Sequence, residues 1–263
     1  MTTHTPEAPG LHARRHGQRG VALFVVIVFV MLSMLLALWA SRTSLFNELI
    51  VGNDADYQRA FEAAQALLQD AELDIRGEKA DGSACTGGGD VCRTSTLDKI
   101  PLETKDVGLL LGTLDALSTK CRNGLCVKRT GRQDFWNYTS TTSPVPTNLQ
   151  AGEVPLEQLT AAGVGARYGQ YTGAKTSDTN PILKNTANGQ GGWYWIEVMP
   201  YVEDAGKSGL IANAAANQLA LHMTPNVAYR ITAIANGRKL DPQGRPLTQV
   251  VLQQTYARQK LKD

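Results

Sequence analysis

The sequence predicts an α+β protein in which a long amino-terminal helix packs on a carboxy-terminal antiparallel sheet. Three observations support this prediction. They are an uncharged apolar run at residues 21–40, a helical repeat of apolar positions after it, and alternation of apolar residues in the last third of the chain. Beyond the apolar run, enough of the 263 residues remain to build one globular domain.

Residues 21–40 indicate where the protein is located. They carry no charge, and a helix needs about 20 such residues to cross the ~30 Å hydrocarbon core of a membrane. The run is longer than the roughly 7 to 15 apolar residues of a cleaved secretory signal, and cleavage after Ala40 would place Leu38 at a usually small position. The basic residues before the run are Arg14, Arg15 and Arg19. Because only Arg42 closely follows it, the amino end is expected on the cytoplasmic side.

The residues directly before the run resemble the processing site of a type IV prepilin. Gln18-Arg19-Gly20 adjoins the apolar residues, and in prepilins the basic leader is removed on the cytoplasmic side, after the glycine. Gly52-Asn53 and a helical segment beyond it extend the likeness to the PilX family of type IV pilus minor pilins. That segment is Ala60-Phe61-Glu62-Ala63-Ala64-Gln65-Ala66-Leu67-Leu68-Gln69-Asp70-Ala71-Glu72. Residues 18–76 carry the resemblance, and a weaker likeness returns over residues 193–256.

The resemblance implies a pilin-like fold, a processing site and a set of partners. Residues 1–20 would be the leader, a prepilin peptidase would cut between Gly20 and Val21, and the new amino group of Val21 would be methylated. The implied partners are other minor pilins, the major pilin, a PilY-type tip adhesin and the inner membrane. Two residues depart from the family pattern: Val21 stands where pilins more often have Phe or Met, and Gln65 stands where Glu is expected.

The implied function is to prime pilus assembly, in support of twitching motility and adhesion, without enzymatic activity or a cofactor. The protein would lie in the inner membrane before assembly, with its globular domain in the periplasm, and at the pilus tip on the cell surface afterwards. A minor pseudopilin of a type II secretion system is one alternative, which gene context would distinguish. A signal-anchored periplasmic binding protein or enzyme with an uncut leader is another.

Val25 would be the fifth residue of the mature chain. Major pilins have a Glu at this position, beside the amino-terminal amine of a neighbouring subunit. An ammonium group that lacks a partner in lipid or in a helical bundle is strongly unfavourable. A chain without this carboxylate therefore suits a terminal position, as in the related pseudopilin that caps its fibre. The alternative is drift at an incidental position.

The membrane helix is predicted to continue to residue 76. Apolar side chains recur beyond residue 53 at three- and four-residue spacing, which predicts one buried face. They are Tyr57, Phe61, Ala64, Leu67 or Leu68, Ala71 and Ile75. Gly77 supplies a stop, and Gly52-Asn53 is the weakest point of the predicted helix.

Residues 77–192 are predicted to form a cysteine-bearing connector and variable loops, with short helices near residues 107–117 and 156–162. Four cysteines allow three pairings, which the sequence leaves open; Cys85 with Cys92 and Cys121 with Cys126 would close the smallest loops. An oxidising periplasm favours disulfides, and the first pair lacks the usual spacing of a zinc site. The loops from residue 131 onward either contact tip partners or simply cover the sheet.

Residues 193–263 show the clearest strand signals. Three stretches alternate with a period of two, and a further helix is predicted at residues 210–223. The alternating residues are Tyr194, Ile196 and Val198; Tyr229, Ile231 and Ala233; and Val250, Leu252 and Tyr256. Asn236-Gly237 and Asp241-Pro242-Gln243-Gly244 supply turns between the last two strands. Trp193 and Trp195 should face away from Tyr194, where they either mark an interface or pack within the chain.

Charge and reactive residues argue against several functional classes. Without the leader's three basic residues and one acidic residue, the 26 basic and 24 acidic residues become 23 of each, so the mature chain has no overall charge for binding nucleic acid. Three of the four histidines lie in the leader, and His222 alone forms no triad or metal cluster. The sequence therefore predicts a non-enzymatic protein without a metal.

Overall fold

The computed structural model describes residues 21–86, 91–93, 98–101, 104–128, 153–176, 180–200 and 227–257. The chain divides into two compact units, residues 1–52 and 53–263. The helices are α1 (Val21–Arg76), α2 (Thr104–Asp115), α3 (Leu156–Leu159) and α4 (Pro181–Lys184). The strands are β1 (Cys121–Arg122), β2 (Leu125–Val127), β3 (Gly192–Pro200), β4 (Val227–Asn236) and β5 (Gln249–Tyr256).

Helix α1 has the predicted bounds. It contains 56 residues and is the one described helix that is long and apolar enough to cross a membrane. Gly77 ends it with a positive φ of 67°, while Gly77 N donates to Asp74 O and Glu78 N donates to Leu73 O. These two hydrogen bonds form the usual glycine-terminated helix end, which explains why the helix stops here.

The sheet has the strand order β1-β2-β3-β4-β5. Strands β3, β4 and β5 pair antiparallel, as predicted, and β1 pairs antiparallel with β2. Strand β2 pairs parallel with β3, with Leu125 opposite Ile196. The predicted carboxy-terminal antiparallel sheet is therefore present in β3, β4 and β5, and β1 and β2 of the connector extend it into a mixed sheet.

One face of the sheet packs against α1 and α2 and forms the larger core. Alternate residues of β3 and β4 face the helices, because Tyr194 lies opposite Ala233 and Ile196 lies opposite Ile231 in the register. The helical residues of this core are Ala60, Ala63, Ala64, Leu67, Leu68, Ala71, Ile75, Val107, Leu110 and Leu114. The predicted face of α1 is thus confirmed from Ala64 onward, but the prediction was wrong for Tyr57, which is 48% exposed.

The opposite face of the sheet carries a second, smaller core. Trp193 and Trp195 point to this face, as predicted, and both are buried. They pack with Cys121, Cys126, Val154, Leu156, Leu159 and Ile234. The two tryptophans are therefore covered by the chain itself, which disfavours the alternative that they mark an interface.

The short helices are confirmed with different bounds, because α2 begins three residues before the predicted start and α3 ends at Leu159. The structure pairs Cys85 with Cys92 and Cys121 with Cys126. The leader, the predicted helix at residues 210–223 with His222, and the loops at residues 129–152 lie outside the described residues.

Candidate functional site

The amino-terminal part of α1 is the first candidate for a functional surface. The apolar side chains from Val21 to Trp39 are exposed around the helix, and Val25 lies among them. Gly20, the other residue of the predicted cleavage site, lies outside the described residues, whereas Val21 begins α1. Exposed apolar surface of this extent has to be covered by lipid or by other apolar helices.

The second part of α1 carries three buried carboxylates, and each binds a different segment of the globular unit. They belong to Asp56, Asp70 and Asp74, which are all at most 6% exposed. Their positions continue the stripe of Ala60, Ala63 and Leu67 at helical spacing. The apolar stripe that packs α1 on the sheet therefore has a buried carboxylate beyond each of its two ends.

Asp74 is the centre of a buried ion pair. Nε and Nη2 of Arg93 donate to its carboxylate at 2.7 to 3.0 Å, and the hydroxyl of Tyr194 donates at 2.9 Å. Burial alone would lower the pKa of Arg93, but the charge and hydrogen bonds of Asp74 outweigh burial and raise it. Arg93 also donates to Asn123 O at 2.8 Å and lies 3.7 Å from the ring centre of Tyr171. The pair thus joins α1, β3 and the β1–β2 turn.

Arg93 directly follows Cys92, so the ion pair and the first disulfide act on the same segment. The bridge from Cys92 to Cys85 leads back to the chain just after α1, where Cys85 N donates to Gly77 O. The chain at residues 92–93 is therefore held twice, by a covalent bond and by a buried charge pair. Removing either partner of such a pair would leave an unpaired buried charge.

Asp70 is buried without a cationic partner among the described residues. Its carboxylate accepts hydrogen bonds from the hydroxyl of Thr172 and from Gly169 N, the latter at 2.8 Å. Burial raises the pKa of Asp70 to about 6, although these two hydrogen bonds act in the opposite direction. Asp70 therefore holds the 169–172 loop on α1 and changes its ionisation near neutral pH.

Asp56 holds the β4–β5 connection on α1. Its carboxylate accepts hydrogen bonds from Arg238 N at 2.9 Å and Lys239 N at 3.4 Å. A Cβ atom on Gly237 would collide with this carboxylate and lie 2.8 Å from the Cβ of Thr248. Glycine is thus required where the predicted Asn236-Gly237 turn meets the helix.

None of these three carboxylates was identified from the sequence, because acidic residues on a helix are usually exposed and their partners lie far along the chain. Their three- and four-residue spacing within the apolar stripe is the signal that could have identified them. In the part of the chain that the structure describes, no group of three or more His, Cys, Asp or Glu side chains could hold a metal ion. The polar contacts described above join segments of the chain to one another.

Comparison with known families gives two matches. The family described as Type IV pilus assembly protein PilX C-term matches residues 122–258, and the PilX N-terminal family matches residues 19–69. No curated protein and no solved structure matches the chain significantly. The first family covers more than half of the 263 residues, and the second covers most of the amino-terminal helix, up to residue 69. The chain therefore belongs to the PilX family of type IV pilus assembly proteins.

Proposed function

We propose that this protein is a minor pilin that primes assembly of the type IV pilus and occupies a position at or near its tip. The observation that carries the tip position is Val25, which leaves the uncharged run of residues 21–40 without an acidic side chain. Type IV pilus assembly follows from the family, whereas the proposed place of this subunit in the fibre is supported by this residue. A subunit that starts the fibre would also support twitching motility and adhesion.

The physical reason for a terminal position is an unpaired charge. In the pilin pathway that the sequence resembles, cleavage between Gly20 and Val21 creates a new ammonium group in an apolar environment. A Glu at the fifth position of an adjacent subunit neutralises such a group, and without that carboxylate the charge remains buried and unpaired. Because Val25 offers no carboxylate to another subunit, this chain is disfavoured wherever a further subunit must place its amine against it.

The life cycle that we propose begins in the inner membrane. A prepilin peptidase removes residues 1–20, Val21 is methylated, and residues 21–40 hold the subunit in the bilayer with the globular unit in the periplasm. The exposed apolar helix then enters a bundle with other minor pilins and the major pilin. The globular unit is left to contact a PilY-type adhesin, and its fixed segments provide a rigid support for that contact.

The experiment that tests the tip position is the variant Val25→Glu, with Val28→Glu as a matched control in the same apolar run. Immunogold labelling of sheared pili should show the wild-type protein at fibre ends. The Val25→Glu variant should spread along the fibre, because it can neutralise a neighbouring amine, whereas the Val28→Glu variant should not. Wild-type label along the whole fibre would contradict the tip position.

Unchanged surface pili and twitching after deletion of the gene would contradict priming.

A further inference from the structure

Arg167 has an unusual setting on the globular unit. Its guanidinium lies 3.9 Å from the ring centre of Trp193, and it is half-buried. No Asp or Glu among the described residues forms an ion pair with it. Burial lowers the pKa of Arg167 to about 10, which still leaves the guanidinium charged at neutral pH. A half-buried cation without a counter-charge is unfavourable unless other groups compensate it.

The backbone fixes Arg167 in place before any partner arrives. Ala166, the preceding residue, exchanges two main-chain hydrogen bonds with Tyr194, which places Arg167 beside the start of β3. Nη1 then donates to the carbonyl oxygens of Gln190 at 2.8 Å, Asn185 at 3.3 Å and Gly192 at 3.4 Å. The side chain is therefore held by one nitrogen and by the indole ring beneath it.

The loop that supplies these carbonyl groups is itself ordered by internal hydrogen bonds. Asn185 Nδ2 donates to Gln190 Oε1 at 2.8 Å, and Ala187 N donates to Asn185 Oδ1 at 3.0 Å. Gly191 has a φ of +87°, and a Cβ atom there would lie 2.7 Å from Nη1 of Arg167. A glycine is thus needed for the guanidinium to occupy this place.

The other two nitrogens, Nε and Nη2, are the edge of the guanidinium that remains available. Neither donates a hydrogen bond to a described residue, and neither is a buried unpaired atom. This edge is the one that binds a carboxylate through two parallel hydrogen bonds. Arginine residues that are stacked on an aromatic ring and held in advance are typical anchors of protein interfaces.

We propose that Arg167 is a docking anchor that binds an acidic side chain of a neighbouring pilus subunit through Nε and Nη2. The inference rests on the proposed function, because it needs the chain to enter an assembly. The proposed contact is made by the 185–192 loop and β3, and not by the apolar helix. The carboxylate supplies the missing counter-charge.

Site-specific photo-cross-linking of the full-length protein in piliated cells tests this proposal. A photoreactive residue replaces Asn188, which is exposed on the same loop, and a second version carries it at Leu45, an exposed residue of α1. We expect the Asn188 probe to capture another pilus subunit through a peptide that contains Asp or Glu. The cross-linking yield should fall about tenfold in Arg167→Ala, since losing charge-assisted hydrogen bonds of this type weakens binding by about that factor. Arg245→Ala, which removes a solvent-exposed arginine, should leave the yield unchanged.

Further variants separate docking from folding. Arg167→Lys keeps the charge but loses the two-point geometry, so it should give an intermediate yield, and near-ultraviolet circular dichroism reports whether the tryptophan packing survives. Exchanging the charges, Arg167→Glu with the captured acid changed to Arg, should restore cross-linking. Cross-links that are unaffected in folded Arg167→Ala or Arg167→Lys protein, or that join only this chain to itself, would overturn the proposal. If the protein with Arg167 intact gives Leu45 cross-links but no Asn188 cross-links, this inference is overturned, whereas the absence of both would contradict the proposed function.

Discussion

Asp56, Asp70 and Asp74 hold distant segments of the unit formed by residues 53–263 on the part of α1 that belongs to the same unit. Each is buried, and each accepts hydrogen bonds from a segment more than 15 residues away in the chain. Buried carboxylates are costly unless hydrogen bonds satisfy their oxygen atoms, and all three have such partners. Their contribution is to define which loop contacts which turn of the helix.

Asp70 gives the stability of the protein a distinctive pH dependence. Burial raises its pKa from 3.8 to about 6, so the folded protein binds this proton more tightly than the unfolded chain does. The resulting stabilisation is fully present below about pH 4 and is lost as the pH rises through about 6. A shift of this size corresponds to about 3 kcal/mol.

The variant Asp70→Asn should remove this dependence, because an amide cannot ionise but still accepts a hydrogen bond. We expect its free energy of unfolding, relative to wild type, to increase by about 3 kcal/mol between pH 4 and pH 7. Denaturant unfolding of both proteins at several pH values measures this difference. Parallel pH profiles for the two proteins would show that Asp70 does not titrate in this range.

The buried residues of α1 could be predicted from the sequence only in part. Ala64, Ala71 and Ile75 could be assigned to the buried face of α1 because apolar residues at helical spacing seldom have another explanation. Tyr57 was placed there by the same rule and is exposed, because the buried stripe passes through Asp56 instead. The spacing alone marks these carboxylates as candidates for burial, but their donors, which include the main chain of Arg238 and of Gly169, lie far along the chain and are set by the fold.

At the scale of elements, α1 and β3 approach each other closely at one glycine. A Cβ atom on Gly192 would lie 2.6 Å from Cδ1 of Leu67 and 3.1 Å from Ile234 O. Leu67 is fully buried, so its side chain has little room to move away. The packing of the helix on the sheet therefore depends on the missing side chain at this position.

Gly192→Ala should lower the free energy of unfolding by about 1 to 3 kcal/mol, because extra volume in a filled core forces its neighbours to shift. Gly108→Ala is the matched control. It lies in α2, where an added Cβ atom would meet no other atom within 4 Å, and alanine there should raise the helix propensity and add about 0.5 to 1 kcal/mol to the free energy of unfolding. Thermal unfolding of both variants checks the signs. Equal effects would contradict the close approach of α1 and β3.

Each of the two disulfides closes a short local loop. In the chain-entropy account, disulfides between cysteines that are five and seven residues apart contribute about 2 kcal/mol each to the free energy of unfolding. Changing Cys121 and Cys126 together to Ala should therefore destabilise the protein by about this amount, with an added loss of packing beneath Trp193 and Trp195. Peptide mapping without reductant checks the pairing itself. A peptide that joins Cys85 to Cys121 would contradict it.

The elements could be predicted where their signals are long and local. The apolar run and repeat of α1 extend over many residues, and the alternation in β3, β4 and β5 extends over five to seven, so their periods are visible. Strands β1 and β2 contain two and three residues, too few to show alternation. The parallel pairing of β2 with β3 depends on a partner about 70 residues away, which no local pattern encodes.

At the scale of the whole molecule, the chain combines an exposed apolar helix with a globular unit that has its own two cores. This combination, together with the family matches, makes the protein a component of type IV pilus assembly. Its proposed place at the tip rests on Val25, and its proposed entry into the pathway rests on cleavage after Gly20. Both proposals require a mature chain that begins at Val21.

The most direct test of this requirement is the amino terminus of the protein in its membrane. Intact mass and amino-terminal sequencing should be measured in cells with and without an active prepilin peptidase. We predict a chain that begins at Val21, with the mass of one added methyl group, only when the peptidase is active. A chain that retains residues 1–20 in peptidase-active cells would contradict the pilin pathway and leave a protein anchored by an uncut signal.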